Sequence, residues 1–310
     1  MVGSRRVRPD VLCCIGLCLL AAAPATHAEA QALIGILQGP AVLVRQSTRF
    51  TLVEGAALAE GDIVETGKGA FMQIEFSDGT LAGVGEESRL ILRPRLTALK
   101  TTVAPRFYQL EGWTKLRLPA KSEGGYGVLT PQFELDGNAG SAVVRVQPKG
   151  WAVFTEAGSN RLLQRTGAAA ALGLGKGDFA ALGEGADKPA VASQLPAEFV
   201  QALPRNFREA LPARAERFAK STIQLQPLGP VSYDDVSAWL HTEPGIRLAL
   251  SKQWRGRASD KSFRAAAAAN LPAHKEWERV LFPERFLPKK PVPPPPPPAA
   301  PATTASAATS

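Results

Sequence analysis

Carboxylates are plentiful in the first half of the chain, among them Asp62, Glu65, Asp78, Glu86, Glu87 and Asp136. Two of them facing across a cleft could do the work of a glycosidase, one as acid and one as nucleophile or base. The three aspartates among them each adjoin a glycine: Gly61-Asp62, Asp78-Gly79 and Asp136-Gly137. An Asp beside a Gly is the chemistry of a tight turn, so these side chains are expected to close turns rather than to converge. Asp78-Gly79-Thr80 also lacks the alternating oxygen ligands of a calcium loop. Beyond His27 the only histidines are His241 and His274. Neither lies near a Gly-x-Ser-x-Gly or within a His-Glu-x-x-His, so a nucleophile triad and a zinc site both lack their base or ligands. The run Gly173-Leu-Gly-Lys-Gly177 has no Ser or Thr after its lysine and reads as a hairpin before Asp178–Leu182, not as a phosphate loop. No catalytic residue, metal or cofactor is expected from this inventory.

The elements around these residues are strands. Ala41–Arg45 is a strand-length apolar run. Met72, Ile74 and Phe76 alternate with Gln73 and Glu75, and Leu116 and Leu118 with Lys115 and Arg117. Such period-two patterns put one face in a core and the other in water. Further short strands are predicted at Phe107–Leu110, Ala142–Val146 and Gly150–Thr155. Turns are predicted at Asp78-Gly79, Glu123-Gly-Gly125, Asp136-Gly137-Asn138 and Gly158-Ser-Asn160. Many short strands without intervening helices indicate an all-β domain, a sandwich or roll, over residues 31–185.

The pattern changes near residue 185, and residues 186–287 are expected to be α-helical. Leu195-Pro, Leu203-Pro and Leu211-Pro begin three eight-residue units in which Leu and the residue four later, Phe199, Phe207 or Ala215, share a helical face. Proline is tolerated in the first turn of a helix, so short helices are predicted rather than one rod. Ser232-Tyr-Asp-Asp235 has the spacing of a capping box. Helices are then expected from Ile246 to about Gly256, from Lys261 to Leu271, and from Pro272 onward. Trp239, Trp254 and Trp277 are the anchors of a helical core, or alternatively an exposed aromatic surface for a glycan. From Lys289-Lys-Pro-Val the chain continues into six prolines and an Ala/Thr/Ser stretch, so residues 288–310 read as an extended, disordered tail.

Residues 1–30 have the layout of an export signal: Arg5, Arg6 and Arg8, an apolar Val11–Ala23, then Thr26-His-Ala28 and Ala28-Glu-Ala30. Cleavage is expected after Ala28 or Ala30, giving a periplasmic or secreted protein. Thirteen apolar residues span roughly 20 Å as a helix, short of a bilayer core of about 30 Å. Cys13, Cys14 and Cys18 all lie in that segment, so the mature chain has no disulfide and no thiol chemistry. The net charge of +8 sits in the second half: residues 201–290 carry 16 Lys/Arg against 9 Asp/Glu, residues 31–150 carry 13 against 12. For an exported chain the acidic partners in reach are membrane-surface head groups and envelope polymers, not nucleic acid.

The stretch Leu58-Ala-Glu-Gly-Asp-Ile-Val-Glu-Thr-Gly-Lys-Gly-Ala-Phe-Met-Gln-Ile-Glu-Phe-Ser-Asp-Gly-Thr80 closely resembles the FecR domain, a bacterial extracytoplasmic all-β module. Its marks are Gly61, Asp62, Thr66, Gly67, Asp78 and Gly79. Ile34-Gly35, Glu54-Gly55, Gly85, Ser88, Leu110-Glu-Gly112, Val128-Leu-Thr-Pro131 and Ala142-Val-Val144 extend the resemblance over about residues 33–165. It implies a fold rather than an activity, since the matched residues are turn glycines and aspartates. Membrane-anchored members of that family carry a cytoplasmic segment controlling a sigma factor; only ten residues precede the apolar stretch here, which favours comparison with stand-alone exported members. The expected role is a non-enzymatic binding or scaffolding module for an envelope protein or polysaccharide. Alternatives are envelope-polymer binding through the basic helical half, a carbohydrate-active enzyme using a carboxylate pair, and signal transduction.

Overall fold

A computed structural model describes residues 32–94, 104–119, 125–166 and 171–287. The expected signal segment with Ala28 and Ala30, the Glu123-Gly124 part of one expected turn, the Asn138 side chain and the tail 288–310 lie outside the described residues. The strands are β1 (Ala32–Gln38), β2 (Ala41–Arg45), β3 (Thr48–Thr51), β4 (Ala57–Leu58), β5 (Ile63–Thr66), β6 (Phe71–Phe76), β7 (Leu81–Val84) and β8 (Arg89–Leu92). Then come β9 (Phe107–Arg117), β10 (Tyr126–Leu129), β11 (Phe133–Gln147), β12 (Gly150–Gln164), β13 (Ala171–Leu174), β14 (Phe179–Leu182), β15 (Ala190–Ala192) and β16 (Gln226–Pro230). The helices are α1 (Ala197–Ala202), α2 (Tyr233–Leu240), α3 (Pro244–Trp254), α4 (Lys261–Ala269) and α5 (Glu278–Leu281).

All these strands join one hydrogen-bonded network, a closed five-stranded barrel with extra strands that extend it into two layers, linked also where β10 pairs with β11. The junction is β9. Its first half pairs with β8 and, in parallel, with β10; its second half pairs with β7 and β11. One layer therefore runs β16-β3-β2-β5-β8-β9-β10 and the other β4-β1-β6-β7-β9-β11-β12-β14-β15. The crossing point is Gly112, whose φ is +94°. A Cβ there would fall 2.2 Å from Ser88 Oγ, which instead accepts the Trp113 amide at 2.9 Å and donates to the Gly85 carbonyl.

The fold is mostly β as expected, but β9, β11 and β12 are long where short strands were predicted. Asp136-Gly137-Asn138 and Gly158-Ser-Asn160 do not close hairpins. They lie within β11 and β12, whose pairing shifts register between Gly137 and Ala139 and between Ser141 and Ala142. The glycines absorb an extra residue and bend a continuous ribbon, as β-bulges do. Gly173–Gly177 is likewise not a hairpin. β13 pairs with Asn160–Leu163 and β14 with Trp151–Phe154, so both run along the same edge of β12, with a jog between them closed by the Asp178 carboxylate on the Gly175 amide.

Between the layers lies the main core, including Leu43, Val64, Met72, Ile74, Leu116, Phe133, Val144 and Trp151. Both outer faces are covered as well, by the chain after residue 185. Leu195, Phe199, Leu203, Phe207 and Leu211 lay a strap across the outer face of the second layer, against Phe71, Trp113, Val143, Ala152 and Phe179. The strap is α1 followed by a turn at Arg205–Phe207, so the Leu-Pro units do give short helical pieces with their every-fourth residues inward. Because the strap lies on β6, Gln73 and Glu75 are both 4% exposed and not in water as the alternation predicted. Gln73 donates to the Pro212 carbonyl at 2.9 Å, and the Glu75 carboxylate accepts the amides of Arg214 and Ala215.

Helices α2 to α5 cap the first layer, where Val44, Ile63, Ile91, Tyr108 and Leu129 meet Val236, Trp239, Ile246, Trp254 and Trp277. Ser232 and Asp235 form the expected capping box. Arg165 joins Glu243 at 2.5 Å and Arg49 joins Asp235 at 2.8 Å across this contact. The region expected to be helical also contributes β15, paired to β14, and β16, paired to β3.

Inside the cap His274 is fully buried, with Nε2 3.0 Å from the Tyr233 hydroxyl and its ring stacked against His241. Burial foremost, with His241 and Arg247, lowers its pKa below 6.5, against the pull of its own backbone and Glu276. Below that unfolded value the unfolded chain takes up the proton first, so stability must decline as pH falls through to the lower folded value. Thermal midpoints should therefore fall as pH drops below about 6.5, the unfolded value. His274→Phe should flatten that dependence; an unaltered slope would assign it to other groups.

Candidate functional site

The aspartates that could have formed a catalytic pair serve separate arginines. Asp62, 3% exposed, takes Arg45 through Nε at 3.0 Å and Nη2 at 2.6 Å, and accepts the Ala59 amide at 2.7 Å. It closes the turn in which Gly61 has φ +81°. Asp78 accepts the Thr80 amide at 3.0 Å and Arg106 Nη2 at 2.6 Å. Burial acts to raise its carboxyl, but the Thr80 amide and Arg106 prevail and hold it below the ordinary value. Gly79 donates to the Phe76 carbonyl in the β6–β7 turn. The Thr66 hydroxyl donates to the Gly85 carbonyl and accepts the Ser88 amide, while the Gly67 amide donates to the Pro40 carbonyl. Glu65 accepts the Trp239 indole N–H at 2.8 Å; its carboxyl is raised, burial outweighing that bond and the nearby Arg89 and Arg49. Each of these groups is held by the fold itself.

Of the two readings of the tryptophans, the helical core is the one the structure has, and the alternative of an exposed aromatic surface is corrected. Trp239, Trp254 and Trp277 are 1%, 0% and 0% exposed. They bury their rings between the helices and the first layer because that face of the sheet is itself apolar. Among the described residues no cluster of three or more His, Cys, Asp or Glu could hold a metal ion, and no helix is long and apolar enough to cross a membrane.

What stays open is one end of the second layer's outer face, beyond the reach of the strap. There a cleft of about 840 Å³ lies between the β11–β12 turn, the chain after β14, and α1. Its floor is small: Gly150 and Ala152 from β12, Ala181 from β14, and Gly183. Phe179 and Phe199 form an aromatic side, their rings 4.9 Å apart, and Phe199 continues to Trp113 at 5.3 Å. At the rim Lys149 and Glu184 pair at 2.6 Å, both exposed.

Arg145 is the distinctive group. Its guanidinium lies 4.7 Å over the Trp113 ring, an attraction of cation to π face. Among the described residues no carboxylate pairs with it, and burial lowers its pKa. The cleft thus holds a partly desolvated cation on an aromatic platform, with apolar surface beside it and the Glu198 carboxylate elsewhere in its lining. Its volume falls in the range of about 300–1,000 Å³ usual for ligand clefts. Sequence reasoning passed over Arg145. The signal available was its place in Ala142-Val-Val-Arg-Val146, where alternation turns Val144 and Val146 inward and Arg145 outward; its meeting with Trp113 depends on the β9–β11 register, Arg145 opposite Trp113.

No family model matches the chain, and no curated protein matches it. Two solved structures from Parabacteroides distasonis ATCC 8503, at 1.65 Å and 2.50 Å resolution and each described as "a putative anti-sigma factor", are similar over 45% of this chain. Both share 15% identity with it at a TM-score of 0.37, and the chain spans 63% and 62% of their lengths, less than two thirds. Overlap of that degree carries no argument about what this protein binds or does.

Proposed function

We propose that the chain is a non-enzymatic FecR-type protein, exported by its first thirty residues, that binds an anionic component of the cell envelope in the cleft at Arg145. One observation carries the reading: a guanidinium stacked on Trp113, at an open cleft, without a carboxylate of its own. A cation left partly desolvated gains from an incoming anion, and a hydrogen bond to a charged group contributes about 1.5–3 kcal/mol. The non-enzymatic part is supported by the occupied state of Asp62, Asp78 and Glu65, each committed to a turn, an arginine or an indole.

Co-sedimentation with purified sacculi and with envelope membranes tests this reading. The wild type should be retained by at least one fraction at low salt. Arg145→Ala should weaken that retention about tenfold or more, the equivalent of 1.4 kcal/mol. Retention by neither fraction, or retention indifferent to Arg145→Ala, would refute the cleft as the site.

A further inference from the structure

We infer that the occupant of the cleft is an extended acidic peptide segment, one carboxylate flanked by apolar side chains, laid on the sheet face beside α1. This rests on the cleft reading above and narrows it from any anion to one class.

The protein shows in its own strap how this face accepts a peptide. Strap side chains settle over small residues of the sheet: Phe207 stands over Gly83 and Pro204 over Gly85. Cationic side chains of β9 then reach the strap's main chain, Lys115 Nζ to the Phe207 carbonyl and Arg117 Nη2 to the Leu211 carbonyl, both at 2.6 Å. The cleft repeats that layout without the peptide. Its floor is Gly150, Ala152, Ala181 and Gly183, and its cation is Arg145 on β11, the strand paired to β9. Lys115 is bound both to Glu156 and to a strap carbonyl, whereas Arg145 has no such anion among the described residues. A guanidinium offers the planar fork that a carboxylate takes with two hydrogen bonds.

A sugar polymer fits the same surface poorly. Each buried hydroxyl needs a partner or costs its desolvation. The floor presents no side-chain polar group, and the main chain of Gly150, Ala152 and Ala181 is committed to β11–β12 and β12–β14 pairing; the polar side chains lining the cleft besides Arg145 and the rim pair include Gln147 and Glu198. At the rim Lys149 and Glu184 are engaged with each other.

The test uses the full chain and fluorescence anisotropy. The probes are a labelled pool of end-capped peptides with a central Glu among Leu, Phe and Pro, and the same pool with Gln for Glu. Labelled polygalacturonate and labelled laurate serve as parallel probes that carry carboxylates on a glycan and on a single alkyl chain. The Glu pool should bind, the Gln pool about tenfold or more weakly, and Arg145→Ala should remove that preference. Gln147→Glu, a rim change that leaves Arg145 in place, should weaken the Glu pool too. No binding of the Glu pool up to about 1 mM, or equal binding of both pools, overturns the peptide assignment. If the peptides fail while polygalacturonate or laurate binds in an Arg145-dependent manner, the peptide class falls and the cleft stands. If nothing binds, both fall.

Discussion

Trp254→Ala should lower folding stability by about 3–5 kcal/mol, the range for emptying a buried tryptophan site. The ring is fully buried in the cap. Its Nε1 also donates to the Gln46 carbonyl at 2.8 Å, at the turn joining β2 to β3, where Gln46 has φ +55°. Truncation therefore opens a cavity and loosens the turn that sets the edge of the first layer. Trp254→Phe separates the two effects: it keeps most of the volume and loses the hydrogen bond, for about 0.5–1.5 kcal/mol. Urea unfolding followed by circular dichroism and tryptophan fluorescence is the measurement. Coincident transitions that shift together would show the cap and the β layers to be one cooperative unit. A loss below about 1 kcal/mol for Trp254→Ala would mean that the cap contributes little to that unit.

Gly140→Ala should be nearly as damaging although it adds one methyl group. Gly140 has φ +94°, and a Cβ there would stand 2.1 Å from the Ala157 carbonyl oxygen. The backbone conformation alone costs a residue with a Cβ about 1–3 kcal/mol. The clash adds to this, because Ala157 is main chain within the β11–β12 ladder, paired to Ser141, and has no rotamer into which to retreat. Gly173→Ala is the matched control: its φ is ordinary and nothing lies within 4 Å of its added Cβ. It should stay within about 0.5 kcal/mol of the wild type by thermal unfolding. Equal effects of the two changes would remove the bend at Gly140 as a determinant of the fold.

These residues also mark how far the sequence could be read. The strands around the Gly61–Thr80 run, the Ser232 capping box and the inward Leu and Phe of the Leu-Pro units all follow from local periodicity and turn chemistry, and the structure has them. Reading Gly137 and Gly158 as hairpin turns fails because a glycine serves a bulge as well as a turn, Gly158 with φ +76° and Gly137 without a positive φ; which one forms depends on the strand alongside. Burial of Gln73 and Glu75 was hidden for a similar reason. Alternation says which residues share a face, not whether a segment 139 positions later will cover it. Spacing favours a core for the tryptophans over a platform, and the apolar outer face of the first layer, which they cover, is built from distant strands. Arg145 needed most: a strand register, an aromatic partner and a strap that stops short.

The covering of both sheet faces by later chain has a consequence for the order in which the molecule is made. Residues up to about 185 carry every strand except β15 and β16, so they hold the means to collapse before the rest exists. A chain released at that point would show two greasy outer surfaces, and β3 would present an unpaired edge until β16, arriving some 175 residues later, sealed it with Pro227 and Pro230. Pairings of such separation form slowly, and half-covered sheets stick to one another in the interval.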